Sequence, residues 1–189
     1  MPVKFDPRKI EQNMKRLQAY MKRDAPRIVG TEAVNHFKKS FDEQGFTDMG
    51  RTPWKAAKRT RPESPWFGFE AGARTRVPAS HPRRRGKGKY KARKANPITN
   101  YSPAATRRKT LSGRTGDLRD SIQYRIEAGF VRVFSNIPYA ALHNRGGNSS
   151  VFGRKNTYMP ARQFMGPSVK LQASIQQLIL KDIDRIVNR

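Results

Sequence analysis

The chain has 189 residues, enough for one ordinary domain, and no cysteine, which excludes disulfides, thiolate metal sites and cysteine nucleophiles. Lys and Arg number 40 against 14 Asp and Glu, so the formal net charge is +26 and attracts nucleic acid, a lipid surface or an acidic protein. Neither a membrane span nor a signal peptide is evident, so we expect a protein that is cytosolic when made.

The first predicted element is an amphipathic helix that begins at Asp6 and Pro7. Aspartate is a favourable N-cap, and proline is tolerated at the first helical position because its missing N–H has no partner there. Apolar side chains then recur at helical spacing, at Ile10, Met14, Leu17 and Met21. We interpret this stripe as a core-facing surface, with a helix lying on a membrane surface as the alternative.

A second helix is predicted from Pro26 to about Glu43, with Gly45 as its C-terminal cap. Phe37 and Phe41 lie one turn apart on it, which puts both rings on one face. We expect these two phenylalanines to anchor the core.

The middle of the sequence is strongly basic and lacks regular periodicity. Between Arg51 and Thr115 there are 19 Lys and Arg but only 2 Asp and Glu, with aromatic, proline and glycine residues interspersed. We predict a single domain, residues 1–189, in which residues 51–114 form a basic, largely irregular insertion. Its densest part, the basic arm, is expected to contact DNA or an acidic partner through Arg83, Arg84, Arg85, Lys87, Lys89, Lys91, Arg93 and Lys94.

After this insertion the pattern changes to strands and helices. Alternating apolar residues predict strands over 121–126 and 130–135, and a second hairpin is predicted over 150–158. A short helix is predicted from Pro138 to His143, and a last helix opens at Gly166 and Pro167 with the clearest apolar stripe in the chain. The predicted fold is α+β: N-terminal helices, a small antiparallel sheet, a C-terminal amphipathic helix and a long inserted basic loop.

No arrangement of residues indicates catalysis. The three histidines, His36, His81 and His143, lack neighbours at metal-ligand spacing. Asp117 and Asp120 lie beside arginines, and helix capping accounts for them. We therefore assign no catalytic, metal or cofactor residue and expect a protein that is not an enzyme; a nuclease is the weakest alternative.

Several short motifs nevertheless occur in a recognisable order. Phe37, Phe41, Gly45 and Trp54 come first, followed by Leu111, Thr115, Gly116, Leu118, Ser121 and Ile122, and then by a hairpin. Tyr139, Ala140, His143 and Gly146 follow it, and then Met159, Pro160, Ala161, Arg162 and Phe164 precede the last helix. In this order the chain resembles the virion morphogenesis and tail completion proteins of tailed bacteriophages, in the Mu-like and lambda-like phages.

The resemblance implies a structural virion protein at the head–tail junction, assembled as a ring around the DNA path, with a hexamer as our expectation. The implied partners are further copies of the chain, the neck or connector protein, the tail-tube or tail-terminator protein and packaged DNA, without a membrane. The implied assembly and core residues are Trp54, Leu118, Tyr139, His143, Gly146, Pro160, Arg162 and Phe164. The alternative is a stand-alone basic nucleic-acid-binding protein, for which the composition alone also argues.

Overall fold

The computed structural model describes residues 6–64, 66–70, 72–73, 100–151 and 154–188. The elements in chain order are α1 (Pro7–Ala19), a π-helical turn (Tyr20–Asp24), α2 (Ala25–Glu43), β1 (Gly45–Thr47), β2 (Arg51–Pro53), a 3-10 turn (Lys58–Thr60), α3 (Pro103–Arg107), α4 (Asp117–Asp120), β3 (Ile122–Glu127), β4 (Phe130–Ser135), α5 (Ala140–Arg145), β5 (Gly147–Val151), β6 (Arg154–Met159) and α6 (Val169–Val187). The strands pair as three antiparallel hairpins, β1–β2, β3–β4 and β5–β6. The predicted α+β class is confirmed.

Contacts divide the chain into two compact units, one of Met1–Pro53 with Leu118–Arg189 and one of Trp54–Asp117. The eight residues of the basic arm lie outside the described residues. The single domain with a basic insertion therefore stays a prediction. Within the part of the chain that is described, no helix has the length and apolarity needed to cross a bilayer.

The two predicted N-terminal helices run on from one another without a break. Asp6 caps α1 as predicted, accepting from the backbone N–H groups of Arg8 and Lys9 at 3.0 and 3.3 Å. Between the helices the chain makes one π-helical turn, in which the N–H of Ala25 donates to the carbonyl of Tyr20. Pro26 follows directly, and the wider turn accommodates a ring that has no N–H and would clash with a regular preceding turn.

The C-terminal cap of α2 differs from the prediction. Gln44, not Gly45, takes the left-handed conformation, with φ of 56°, and its side-chain amide donates to the carbonyl of Phe41 at 2.6 Å. Gly45 instead begins β1 and is buried against β2, where a Cβ would lie 2.9 Å from the Cα of Pro53. The glycine is thus needed for close approach of two strands, and a flexible polar residue closes the helix.

The core of the larger unit forms around α2, which packs against the β3–β4 hairpin and against α6. The ring centroids of Phe41 and Phe164 are 5.2 Å apart, and Phe164 has no exposed surface. The other buried apolar side chains of this core include Ala33, Phe37, Phe46, Leu118, Ile122 and Leu171. Phe37 and Phe41 are therefore core anchors, as predicted.

Helix α6 begins two residues after the predicted Gly166–Pro167 start. Ser168 is its N-cap and accepts from the N–H of Leu171 at 3.2 Å. Asp48 supports this end of the helix, because its carboxylate accepts from the Ser168 hydroxyl at 3.0 Å and from the N–H of Lys170 at 3.1 Å. These hydrogen bonds lower the pKa of Asp48, and the bond from the N–H of Lys170 has the largest effect.

The smaller unit is held together by contacts between its own residues, several of them far apart in sequence. Phe69 and Tyr101 form an isolated antiparallel bridge. Glu70 accepts from Arg108 at 3.1 Å, and both side chains are mostly buried. Arg59 donates to the carbonyl of Lys109 at 2.9 Å. The described part of the predicted irregular insertion thus contains specific polar contacts, one 3-10 turn and the short helix α3.

Gly30 marks the closest approach between α2 and the β3–β4 hairpin. It is buried, and a Cβ at this position would overlap the ring of Tyr124 on β3. In an open helix Gly→Ala stabilises by about 1 kcal/mol, but overpacking typically costs about 1–3 kcal/mol.

We therefore predict that Gly30→Ala lowers the free energy of unfolding, measured by urea denaturation. The exposed Asn35→Ala on the same helix should be neutral or slightly stabilising. In a Tyr124→Leu background Gly30→Ala should lose its penalty. A stabilising effect of Gly30→Ala alone would contradict the packing described here.

Candidate functional site

Most of the predicted assembly residues meet where α5 is joined to the segment that follows β6. We call this region, residues 139–146 with 159–165, the α5 junction. The N–H of Arg162 donates to the carbonyl of His143 at 2.8 Å, which ties the two segments together. The Arg162 side chain is buried and Pro160 is half-buried, so both belong to the packed interior of the junction.

Gly146 ends α5 and allows this close contact. Its φ is 74°, and its N–H donates to the carbonyl of Leu142 at 2.8 Å. A Cβ at this position would lie 2.7 Å from the N of Ala161 and 3.0 Å from the carbonyl oxygen of Met159. Glycine is therefore required twice, for its backbone angle and for the space it leaves.

Asn144 was not predicted, yet its side chain makes three hydrogen bonds within the α5 junction. Its side-chain oxygen accepts from the N–H of Phe164 at 2.8 Å and from the N–H of Met165 at 2.9 Å, and its side-chain nitrogen donates to the carbonyl of Met165 at 2.9 Å. This side chain replaces a strand partner for two residues that belong to no regular element. It therefore fixes the position of the buried Phe164 ring.

His143 packs edge-on against Tyr139, with ring centroids 5.6 Å apart and planes at 83°. Its Nδ1 atom is buried and has no hydrogen-bond partner in the described structure. Burial, and to a lesser extent the positive charge of Arg162, lowers the pKa of His143 below its usual 6.5. The imidazole is therefore neutral at neutral pH, and protonation works against the packing of the junction.

The remaining predicted assembly residues lie elsewhere. Leu118 is buried in the core of the larger unit, next in chain order to β3. Trp54 is half-buried and belongs to the smaller unit. The motifs that stand in order along the sequence thus mark a joint between core elements and supply packing residues.

A second candidate surface is the outer face of the β3–β4 hairpin. The guanidinium of Arg125 lies 5.7 Å from the ring centroid of Phe134, and that of Arg132 lies 5.8 Å from the ring centroid of Phe130. Arg132 also pairs with Glu127 at 3.2 Å. Two exposed arginines stacked on aromatic rings make a cationic, partly apolar surface suited to an anionic partner.

The family model that describes the phage virion morphogenesis family matches residues 6–184 of this chain. The chain belongs to the phage virion morphogenesis family. No curated protein and no solved structure matches the sequence. The ends of the match lie in the larger unit, and the matched range of this virion morphogenesis protein includes the smaller unit.

Among the described residues, no group of three or more His, Asp and Glu side chains is placed to hold a metal ion. The shifted groups, such as His143 and Glu70, owe their pKa directions to burial or to structural hydrogen bonds. The α5 junction can hold its segments in fixed positions, and the β3–β4 hairpin presents positive charge.

We predict that Asn144→Ala destabilises the protein by about 2–4 kcal/mol, because the part-buried backbone N–H groups of Phe164 and Met165 lose their acceptor. Urea denaturation measures this loss. Asn148→Ala, at an exposed position of β5, is the control and should change the free energy of unfolding by less than about 0.5 kcal/mol. Equal effects of the two substitutions would show that Asn144 does not hold the junction.

We also predict that stability falls as the pH drops below about 6.5. The pKa of His143 is lower in the folded state, so the unfolded chain binds the proton first. The stabilisation is therefore complete above the unfolded pKa and is lost as the pH falls toward the folded one. The free energy of unfolding should be measured between about pH 8 and pH 5.

His143→Gln should make this pH dependence shallower. A slope will remain, because burial also lowers the pKa of His36. Tyr139→Phe, which keeps the imidazole, serves as the control and should retain the wild-type slope. If His143→Gln leaves the slope unchanged, protonation of His143 does not contribute to the loss of stability at low pH.

Proposed function

We propose that this protein is a structural component at the head–tail junction of a tailed phage, where it completes the tail and joins it to the head. Membership of the phage virion morphogenesis family, over residues 6–184, carries the proposal. The protein acts by binding alone and catalyses no reaction. Copies of the chain form a closed ring, most simply of six, in which each interface joins two different surfaces of neighbouring subunits.

The surface of the larger unit supports a role in assembly. The apolar stripe of α1, which we interpreted as core-facing, is not buried: no residue of α1 is buried, and Ile10 and Met14 are 47% and 52% exposed. On α6, Leu178, Leu180 and Val187 are 38%, 56% and 43% exposed. The rest of its apolar stripe is buried at Leu171 and part-buried at Ile175, Ile179, Ile183 and Ile186. Apolar helix surfaces left open in this way are typical of proteins that bury them against neighbours.

The net charge of +26 supports a path for DNA through or beside the ring. Identical subunits with this charge repel one another, so assembly is favoured when DNA or acidic neighbouring proteins neutralise it. The basic arm, from Arg83 to Lys94, contacts either the DNA or an acidic face of the neck or tail protein. The same charge favours the second candidate, a stand-alone nucleic-acid-binding protein.

The proposal is tested by the mass of the purified protein in solution at low and high salt, with and without duplex DNA and with neck or tail proteins of the same phage. A discrete ring, alone or with those proteins, supports the joining role. A monomer that remains monomeric with them and coats DNA would favour the nucleic-acid-binding alternative. Electron microscopy of the assembled species then counts the subunits.

We predict that DNA affinity falls steeply with salt if the basic arm lies on DNA, because each neutralised phosphate contributes about −0.9 to the slope of log K against log salt. Replacing Arg83, Arg84, Arg85, Lys87, Lys89 and Lys91 by glutamine should flatten this slope. A matched control replaces six basic residues outside the insertion, Arg8, Lys9, Lys15, Arg27, Lys38 and Lys181. Equal slopes for wild type and the arm variant would exclude DNA as the target of the arm.

A further inference from the structure

The π-helical turn between α1 and α2 borders a cavity of about 670 Å³ in the larger unit. Its lining residues are Arg16, Ala19, Tyr20, Arg23, Asp24, Arg185 and Ile186. The first five come from the end of α1 and the π-helical turn, and the last two come from the end of α6. A π-helical turn costs backbone regularity and is frequent at functional sites, so this one and its cavity call for an explanation beyond the accommodation of Pro26.

Three guanidinium groups therefore converge on one concave surface. Arg23 pairs with Asp24 at 3.1 Å, and Arg185 pairs with Asp182 at 3.4 Å. The Arg23 and Arg185 side chains are 70% and 57% exposed in these pairs, and such exposed pairs contribute little to stability. The guanidinium groups of Arg23 and Arg185 can therefore turn to an incoming anion at a small cost in free energy. The structure gives Arg16 no ion-pair partner among the described residues.

The inner wall of the cavity is fixed. Tyr20 is 7% exposed, and its hydroxyl donates to the Asp182 carboxylate at 3.2 Å. Asp182, whose carboxylate the Tyr20 hydroxyl holds, is also the ion-pair partner of Arg185. Asn13 on α1 donates to the carbonyl of Val187 at 3.1 Å and ties the middle of α1 to the end of α6.

We propose that this cavity, the π-turn pocket, is a binding site for a carboxylate presented by a protein partner. Arg16 is the guanidinium left for the ligand, and Arg23 and Arg185 flank it. Guanidinium groups bind carboxylates through two parallel hydrogen bonds, which gives both affinity and orientation. The inference rests on the residues of the pocket and does not require the proposed ring.

A carboxylate fits better than a phosphate because the pocket already contains negative charge. Asp24 lines it, and Asp182 lies behind Arg185. The excess of positive over negative charge is therefore small, and it matches a singly charged group better than a dianionic phosphate. Ala19 and Ile186 add apolar wall, which suits the methylene groups of an acidic side chain or the last residue of a chain.

The volume of the pocket favours a peptide segment over a lone ion. A cavity of about 670 Å³ is in the range of sites that hold drug-sized ligands, so several residues of a partner can enter. Carboxylates occur on acidic side chains and at the carboxyl ends of chains. Both sources offer the same chemistry and can be distinguished by experiment.

The test is an NMR titration of the full-length protein, following the side-chain Nε–Hε signals of Arg16, Arg23 and Arg185. The probes are acetyl-Glu-Ala-Glu-Ala-Glu-amide, acetyl-Gln-Ala-Gln-Ala-Gln with a free carboxyl end, and inorganic phosphate. The titration is run in about 0.15 M salt, where charges more than about 8 Å apart are largely screened. Signals local to the pocket separate this site from other basic regions of the chain.

Shifts of the three arginine signals with the first peptide support a side-chain carboxylate, and shifts with the second peptide alone support a chain end. Shifts with phosphate and with neither peptide would overturn the proposal in favour of a phosphate group. No shift with any probe would overturn the pocket as a site.

Matched variants measure the contribution of the pocket to affinity. Arg16→Gln with Arg185→Gln should weaken binding of the peptide that shifts the signals by about tenfold or more, since hydrogen bonds to charged groups are lost. Lys9→Gln with Lys181→Gln removes the same charge from the same two helices outside the pocket and should change affinity less than twofold. Equal losses in the two variants would overturn the assignment. Circular dichroism checks that both variants fold, and the wild-type titration stands without them.

Discussion

The packing of Phe164 against Phe41 is the contact on which the larger unit depends. Phe164 belongs to no helix or strand, so its backbone needs partners from elsewhere, and Asn144 on α5 provides them. Phe41 lies on α2, which also contacts the β3–β4 hairpin and α6. One buried ring therefore links the C-terminal end of α2 to the short α5 and to the segment that leads into the last helix. Gly146 makes the link possible because any side chain there would meet the backbone of Ala161.

Outside this core, few side chains of helices α1 and α6 are fully buried. No residue of α1 is buried, and on α6 only Leu171 is. A helix whose apolar stripe is left open gains little from folding as a monomer, because the hydrophobic contribution grows with the area removed from water. A virion morphogenesis protein acts in an assembly, where neighbouring subunits can cover such surfaces. In the ring that we propose, the strong positive charge would oppose association until an anionic partner is present, which would couple assembly to the correct neighbours.

Local sequence patterns predicted the elements better than their ends. The N-cap at Asp6, the alternation in β3 and β4 and the stripe of α6 each depend on residues close in sequence, and each element formed where it was expected. Gly45 was predicted to cap α2, which was wrong. Its actual role is to leave room for β2, and that contact between strands is not visible in the local sequence. The sequence predicted two separate helices, the second starting at Pro26, but the two run on from one another. A π-helical turn accommodates the proline without ending the helix, and a local rule for proline does not include that turn.

The sequence by itself determined the α+β class, the family, the charge and a few of the residues that fill the core, such as Phe37 and Phe41, because composition, periodicity and motif order are properties of the chain. The tertiary structure decided which of the ordered motif residues meet. It brought His143, Gly146, Arg162 and Phe164 together, gave Asn144 its role, and placed three arginines from α1, the π-helical turn and α6 around one cavity. Such sites depend on distances between residues far apart in sequence. Those distances are set by how the helices and hairpins pack, and no local pattern contains them.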